Sequence, residues 1–147
     1  MYIADTYNHV VRKIDVHAGW VTSLAGIRLS SGNIDGPASS ARFTHPYGIA
    51  LDMTREPPLI LVAEEGTDCV RSIDLVNQKV SRVAGTGSAG TEIDGPGYQA
   101  RFSNPYSVAG PSPVASGSRV FYVADYSNQG VGWSPEYVFL FLLSPST

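Results

Sequence analysis

Short apolar runs recur along the chain and are separated by glycine, proline, aspartate or asparagine. In the best-defined stretch these runs lie at residues 47–52, 59–63, 69–75 and 79–84. They are rich in valine, isoleucine, leucine and alanine, and none sustains the ~3.6-residue spacing of an amphipathic helix. The pattern therefore predicts four short β-strands joined by turns.

The chain repeats itself at an offset of about 59 residues. The strings VRKID at 11–15, VTSLAG at 21–26 and ARFTHPY at 41–47 return in one register as VRSID at 70–74, VSRVAG at 80–85 and ARFSNPY at 100–106. A third, partial copy opens with YVAD at 122–125, which matches YIAD at 2–5 and LVAE at 61–64. A repeat made only of strands is typical of a β-propeller blade, which stacks on its neighbours to bury its faces.

The string YIADTYNHVVRKID at 2–15 resembles the core of the NHL repeat. The segments AG at 25–26, DGP at 35–37, ARF at 41–43 and PYGIA at 46–50 resemble the longer linker of one subgroup of that family. The resemblance implies an all-β propeller, usually closed by about six four-stranded blades. Residues 1–131 then form an incomplete ring of two to three blades, near 1–26, 46–85 and 105–131, followed by an apolar tail at 132–147 that has no counterpart in the repeats.

The charge of the chain limits its classes of partner, and its cysteine content bears on the compartment. The formal charge of −3 and a pI near 5.5 disfavour nucleic acid and anionic membranes. The longest apolar run, at 137–143, is far shorter than the roughly 20 residues of a membrane span. A single cysteine and no visible signal peptide weakly favour the cytoplasm, although the compartment stays open.

The repeated linker residues are interpreted as structural. The carboxylates of Asp35 and Asp94 precede glycine, a combination that favours turns in which the side chain accepts local backbone N–H groups. One carboxylate per loop is too few for a calcium site. Arg42 and Arg101 are expected to pair with a carboxylate or carbonyl group of their own loops. Cys69 is expected to act as a small buried hydrophobe.

Aromatic residues recur in the same segments. Phe43 and Phe102 are predicted to lie buried between blades. Pro46 and Pro105 are predicted to start the innermost strands, where proline does not interrupt a ladder. The tyrosine that follows each proline, at 47 and at 106, is expected near the mouth of the central channel, where a phenol edge could meet a ligand.

No residue is predicted to be catalytic, to bind a cofactor or to hold a metal. A resemblance to the peptide-amidating lyase branch of this fold would imply three histidines at equivalent repeat positions around the axis. His9, His17 and His45 align instead with Asp68, Val76 and Asn104. The acidic residue that ends the second strand of each unit, at 5, 64 and 125, is interpreted as a turn feature. Hydrolase and phosphate-binding motifs are also absent from the sequence.

The function predicted from these observations is a non-enzymatic scaffold that binds a protein or peptide partner. The linker stretches 27–33 and 86–92 differ between copies while their flanks repeat, as recognition loops on a fixed frame do. The alternative is part of a propeller hydrolase, lyase or ligand sensor whose axial metal site is completed by further blades. A truncated product without a function of its own is a third possibility. Open blade edges are expected to allow self-association.

Overall fold

The computed structural model describes residues 1–88, 93, 95–113, 119–126 and 138–143. Within them the chain forms eleven β-strands in three antiparallel sheets, which we call blades 1, 2 and 3. The strands are β1 (Tyr2–Asp5), β2 (Val10–Asp15), β3 (Trp20–Ala25), β4 (Gly36–Pro37), β5 (Pro46–Asp52), β6 (Leu59–Glu64), β7 (Cys69–Asp74), β8 (Lys79–Ala84), β9 (Pro105–Pro113), β10 (Arg119–Asp125) and β11 (Val138–Leu143). Three-residue 3₁₀ turns follow β1 and β6, and a third precedes β9. The only helical segments among the described residues are these three-residue turns, none of which could span a bilayer.

Blade 2 contains the four strands that the sequence predicts, in the order β5–β6–β7–β8. Their ends lie within one residue of the predicted ends. A fifth strand, β4, pairs with the outer edge of β8 through Gly36 with Val80 and Pro37 with Lys79. The linker that leaves blade 1 therefore extends blade 2 before the chain enters it.

Blades 1 and 3 each contain three described strands. Blade 1 has the order β1–β2–β3 and begins at the second strand position of the repeat. Blade 3 has the order β11–β10–β9, in which β11 pairs with β10 from Val138 opposite Ala124 to Leu143 opposite Arg119. The segment 132–147, which has no counterpart in the repeats, therefore supplies a strand at the place that β7 occupies beside β6. A β-branched and aromatic run suits such a strand without carrying the repeat motif.

The core lies between the blades, and β6 is buried on both faces. Successive side chains of a strand point to opposite faces. Ile60 and Val62 belong to the cluster shared with blade 1, whereas Leu59, Leu61 and Ala63 belong to the cluster shared with blade 3. Because both faces of β6 are apolar, a single blade could not bury them without a neighbour on each side.

The prediction for the repeated phenylalanines is confirmed. Phe43 is fully buried in the cluster between blades 1 and 2, and Phe102 is equally buried in the cluster between blades 2 and 3. Each comes from the linker that precedes a blade, so the linker covers the junction that its own blade forms with the blade before it.

Candidate functional site

Four tyrosines line the end of the blades at which the innermost strands begin. Tyr47 and Tyr106 are the second residues of β5 and β9, Tyr7 lies in the turn after β1, and Tyr126 directly follows β10. The rings of Tyr47 and Tyr106 stack with centroids 4.0 Å apart and planes at 27°. The ring centroid of Tyr126 lies 5.9 Å from that of Tyr106. We call these four residues the tyrosine row.

Hydrogen bonds link the phenol group of Tyr47 to those of Tyr106 and Tyr7. Bonds with the side chains of Tyr106 and then Tyr7, together with partial burial, raise the pKa of Tyr47 above its ordinary value. The two outer rings are open to solvent, Tyr7 to 76% and Tyr126 to 74%. The row is therefore held together at its centre and exposed at its ends.

The close approach of the innermost strands brings the two central rings together. A Cβ atom at Gly48 would lie 2.5 Å from the Cα atom of Ser107 and 2.9 Å from the carbonyl oxygen of Tyr106. Only glycine fits between two backbones at that distance. The sequence places the Pro-Tyr pairs at the start of both strands, and Gly48 sets the spacing that lets their rings stack.

His45 joins the first end of the row. Its ring lies 5.9 Å from Tyr7 in an edge-on arrangement and 5.0 Å from the ring of His9. Its Nδ1 atom lies 3.1 Å from the Oε2 atom of Glu65, which is 29% exposed. Burial, and secondarily the charge of His45, lower the pKa of His9, so the imidazole of His9 is kept neutral as an acceptor. Its Nδ1 atom accepts the backbone N–H of His45 at 3.3 Å.

This histidine contact is one copy of a repeated junction between blades. At the next junction Asp68 Oδ1 accepts the backbone N–H of Asn104 at 2.9 Å. His9, His45, Asp68 and Asn104 all have left-handed backbone conformations, with φ between 50° and 61°. The sequence alignment pairs His9 with Asp68 and His45 with Asn104, but gives no signal that the two columns touch. Within the residues described, no group of three or more histidine, cysteine or acidic side chains is arranged to hold a metal ion.

A second polar cluster lies buried beneath the linker of blade 2. The guanidinium of Arg71 has no exposed surface and contacts Glu64 Oε1 at 2.9 Å and Asp35 Oδ1 at 2.6 Å. It also donates to the carbonyl oxygen of Ile34 at 2.8 Å and lies 5.3 Å from the centre of the Phe43 ring. One buried cation thus fixes the linker against the blade.

Glu64 completes this buried cluster. It accepts the backbone N–H of Thr44 at 2.8 Å and the hydroxyl of Thr67 at 3.0 Å in addition to the guanidinium of Arg71. Burial raises the pKa of Glu64 to about 7 despite the opposing effect of Arg71. Asp125 is the equivalent in blade 3, where it accepts the backbone N–H of Ser103 at 2.8 Å. The acid that ends the second strand is therefore more than a turn feature, since it binds the incoming linker.

Two predictions about the linker are wrong in their partners. Asp35 was expected to accept neighbouring N–H groups, but it accepts the backbone N–H of Arg82, on the outer strand of the next blade, at 3.0 Å. Arg42 was expected to pair with a carboxylate or carbonyl group of its own loop, but Arg71 makes those contacts, with Asp35 and with the carbonyl oxygen of Ile34, and Arg42 contributes a backbone bridge to Ile34. Both errors have one cause. The linker folds onto the blade that it precedes, so its side chains contact residues that are distant in sequence.

The remaining repeated residues are placed as follows. Arg101 makes the backbone bridge to Ile93 that matches the one made by Arg42. Cys69 is buried, as expected of a hydrophobe, and burial raises its pKa to about 12. The predictions for Asp94 and for residues 89–92 of the second linker lie outside the described residues.

Comparison with known proteins supports the repeat family, although no family model matches the chain. The chain is 28% identical over 137 residues to NHL repeat-containing protein 2 of Gallus gallus, covering 89% of this chain. It spans only 18% of the length of that relative. A structural genomics protein of unknown function from Bacteroides thetaiotaomicron superposes with a TM-score of 0.72 at 24% identity, covering 84% of this chain and 29% of the other. An auxiliary nutrient binding protein from Bacteroides ovatus superposes with a TM-score of 0.68 at 19% identity, covering 84% and 32%.

At these identities the similarity to solved structures shows only the fold. The in-register repeats, the stacked antiparallel blades and the similarity to an NHL repeat-containing protein agree with one another. The chain is similar to NHL repeat-containing proteins and has the fold of a partial β-propeller.

Proposed function

We propose that the protein is a non-enzymatic propeller scaffold that binds a protein or peptide segment through the tyrosine row. The observation that carries the proposal is the exposure of aromatic rings on rigid strand ends. Tyr7 and Tyr126 expose about three quarters of their surface, and Tyr106 is 45% exposed. Tyrosine presents a large amphipathic surface at little cost in side-chain entropy, and it is enriched at the centres of protein interfaces.

The supporting structure is already in place before a partner arrives. The rings of Tyr47 and Tyr106 are stacked, and the strands that carry them meet at Gly48. A surface ordered in advance loses less entropy on binding than a flexible loop does. The linker residues 27–33, which the sequence favours as a recognition loop, are held to the frame by bonds such as Leu29 N–H to the carbonyl oxygen of Asn8 at 2.9 Å.

Selection of displayed random peptides on the immobilised chain tests the proposal. The enriched pool should lose about tenfold in affinity for the double variant Tyr7→Ala/Tyr126→Ala, because truncating the aromatic residues that dominate an interface costs more than about 1 kcal/mol. Tyr98→Ala is the matched control, since Tyr98 is 65% exposed in the 3₁₀ turn Gly97–Gln99 and is not part of the row. A selection that enriches no peptide, or a pool that binds all three proteins equally, would refute the proposal.

A further inference from the structure

We infer that the tyrosine row binds a cationic segment, in which arginine or lysine side chains lie against the exposed rings beside Glu65. The inference rests on the proposed function and adds the chemistry of the partner. A cation is attracted to the face of an aromatic ring by the negative potential of the π-system. The row offers such faces at both ends, on Tyr7 and on Tyr126.

Acidic groups accompany the rings along the same end of the blades. Asp5 and Asp125 end the strands that lead to Tyr7 and Tyr126, and Glu65 occupies the corresponding place after β6. Glu65 approaches the row through His45, which contacts both its carboxylate and the ring of Tyr7. Asp125 is buried and Asp5 is paired with Arg12, so the partly exposed Glu65 supplies the negative charge beside the rings.

Two arginines of blades 1 and 2 are already paired with the acids that end β1 and β6. Arg12 Nε lies 3.0 Å from Asp5 Oδ2, and Arg71 is buried against Glu64. In the described part of the chain the carboxylate of Glu65 contacts the imidazole of His45 at 3.1 Å and no arginine, so it can still attract an incoming cation. The formal charge of −3 for the whole chain acts in the same direction by favouring the approach of a basic segment.

A neutral sugar is the competing ligand for an exposed tyrosine surface. The inner faces of Tyr47 and Tyr106 cover each other at 4.0 Å, so either ligand would use the exposed ring of Tyr7 or Tyr126. At Tyr7 a cation also gains from the carboxylate of Glu65, whereas a neutral sugar carries no charge to pair with it. The arrangement therefore favours the cation.

Fluorescence anisotropy with a labelled peptide of alternating glycine and arginine measures the predicted binding to the full chain. The matched probe replaces each arginine with citrulline, which keeps the shape and removes the charge. We expect the arginine peptide to bind and the citrulline peptide to bind at least tenfold more weakly. Binding should weaken as salt is raised, because exposed charges are screened.

Substitutions at Tyr7 and Tyr126 distinguish the contribution of the aromatic ring to binding from that of its hydroxyl group. Tyr7→Leu and Tyr126→Leu should each weaken binding by about 2–5-fold, the range expected of an exposed cation–π contact. Tyr7→Phe and Tyr126→Phe keep the ring face and should stay within about twofold of the wild type. Glu65→Gln should weaken binding by about 2–5-fold. Tyr98→Leu and Glu56→Gln, at exposed positions away from the row, are the controls and should change nothing.

Three outcomes would overturn the inference: equal binding of the citrulline peptide, phenylalanine variants as weak as the leucine variants, or preferential binding of a neutral oligosaccharide. The failures of the two proposals are distinguishable. Row-dependent peptides from the random selection that carry no arginine or lysine would reject the cationic partner and leave the scaffold function standing. Binding that no row variant alters would reject both.

Discussion

Asp68 Oδ1 accepts the backbone N–H of Asn104 at 2.9 Å, and this bond joins blade 2 to the chain that enters blade 3. The same two repeat positions hold His9 and His45 at the junction between blades 1 and 2. One junction uses a charged acceptor and the other a neutral imidazole, yet the backbone geometry is the same. The contact is thus a property of the repeat, and the side chains that serve it differ between copies.

Removal of the acceptor at this junction should destabilise the chain. Asp68 is 7% exposed, so Asp68→Ala leaves the Asn104 N–H without its partner in a largely buried place. The expected loss is about 1–3 kcal/mol of unfolding free energy, measured by urea denaturation. Asp68→Asn retains an acceptor oxygen and the tolerance for a left-handed backbone, and it should lose less than half as much. Equal losses for the two variants would contradict the role given to this bond.

The buried cation beneath the linker gives a second prediction. Arg71→Met at pH 8 removes the partner of an ionised, buried Glu64 and should cost about 3–5 kcal/mol of unfolding free energy. Arg12→Met is the matched control at the equivalent position of blade 1. The Arg12–Asp5 pair is exposed to 21% and 28%, so its loss should cost about 1 kcal/mol or less. Similar costs for the two variants, from denaturation curves under the same conditions, would show that burial does not set the difference.

Titration of Glu64 gives a pH dependence of defined sign. Its pKa is about 7 in the folded chain and 4.5 when unperturbed. Below pH 4.5 the carboxyl group is protonated in both states; as the pH rises towards 7 the unfolded chain loses the proton first, so the contribution of Glu64 to stability falls. The lowered pKa of His9 has the opposite effect on stability below pH 6.5. The contribution of Glu64 must therefore be measured as a difference between two proteins that share His9.

The variant Glu64→Gln supplies that difference because it keeps the shape and removes the titration. The unfolding free energy of the wild type minus that of the variant should decrease by up to about 3 kcal/mol between pH 4.5 and 8 and stay level above that. Denaturation midpoints at intervals of half a pH unit measure it. A difference that rises with pH would mean that Arg71 and the hydrogen bonds outweigh burial.

The sequence predicted the strands of blade 2 and the burial of Phe43 and Phe102 because these features recur at fixed spacing. It did not predict the partners of Asp35, since a repeat alignment shows which positions are equivalent and not which positions touch. Tyr47 and Tyr106 could be placed at the start of equivalent innermost strands because they follow equivalent prolines. Tyr7 and Tyr126 occupy different repeat positions, so no pattern linked them to the row before the fold brought the strand ends together.

Gly48 connects the packing of the innermost strands to the tyrosine row, and Gly48→Ala should disturb both. The added Cβ atom would lie 2.5 Å from the Cα atom of Ser107, which is backbone and cannot rotate away. β5 and β9 must then separate, at a typical cost of about 1–3 kcal/mol for overpacking. Gly95→Ala is the control, because a Cβ there would meet its nearest neighbour, on Gln99, at an ordinary 3.6 Å.

Denaturation should show a loss of stability for Gly48→Ala and none for Gly95→Ala. The near-ultraviolet circular dichroism of Gly48→Ala should also lose the signal of the stacked Tyr47 and Tyr106 rings. Peptides selected on the wild type should bind this variant more weakly even under conditions where it is fully folded. Unchanged stability together with an unchanged tyrosine signal would mean that the close approach at Gly48 does not control the stacking.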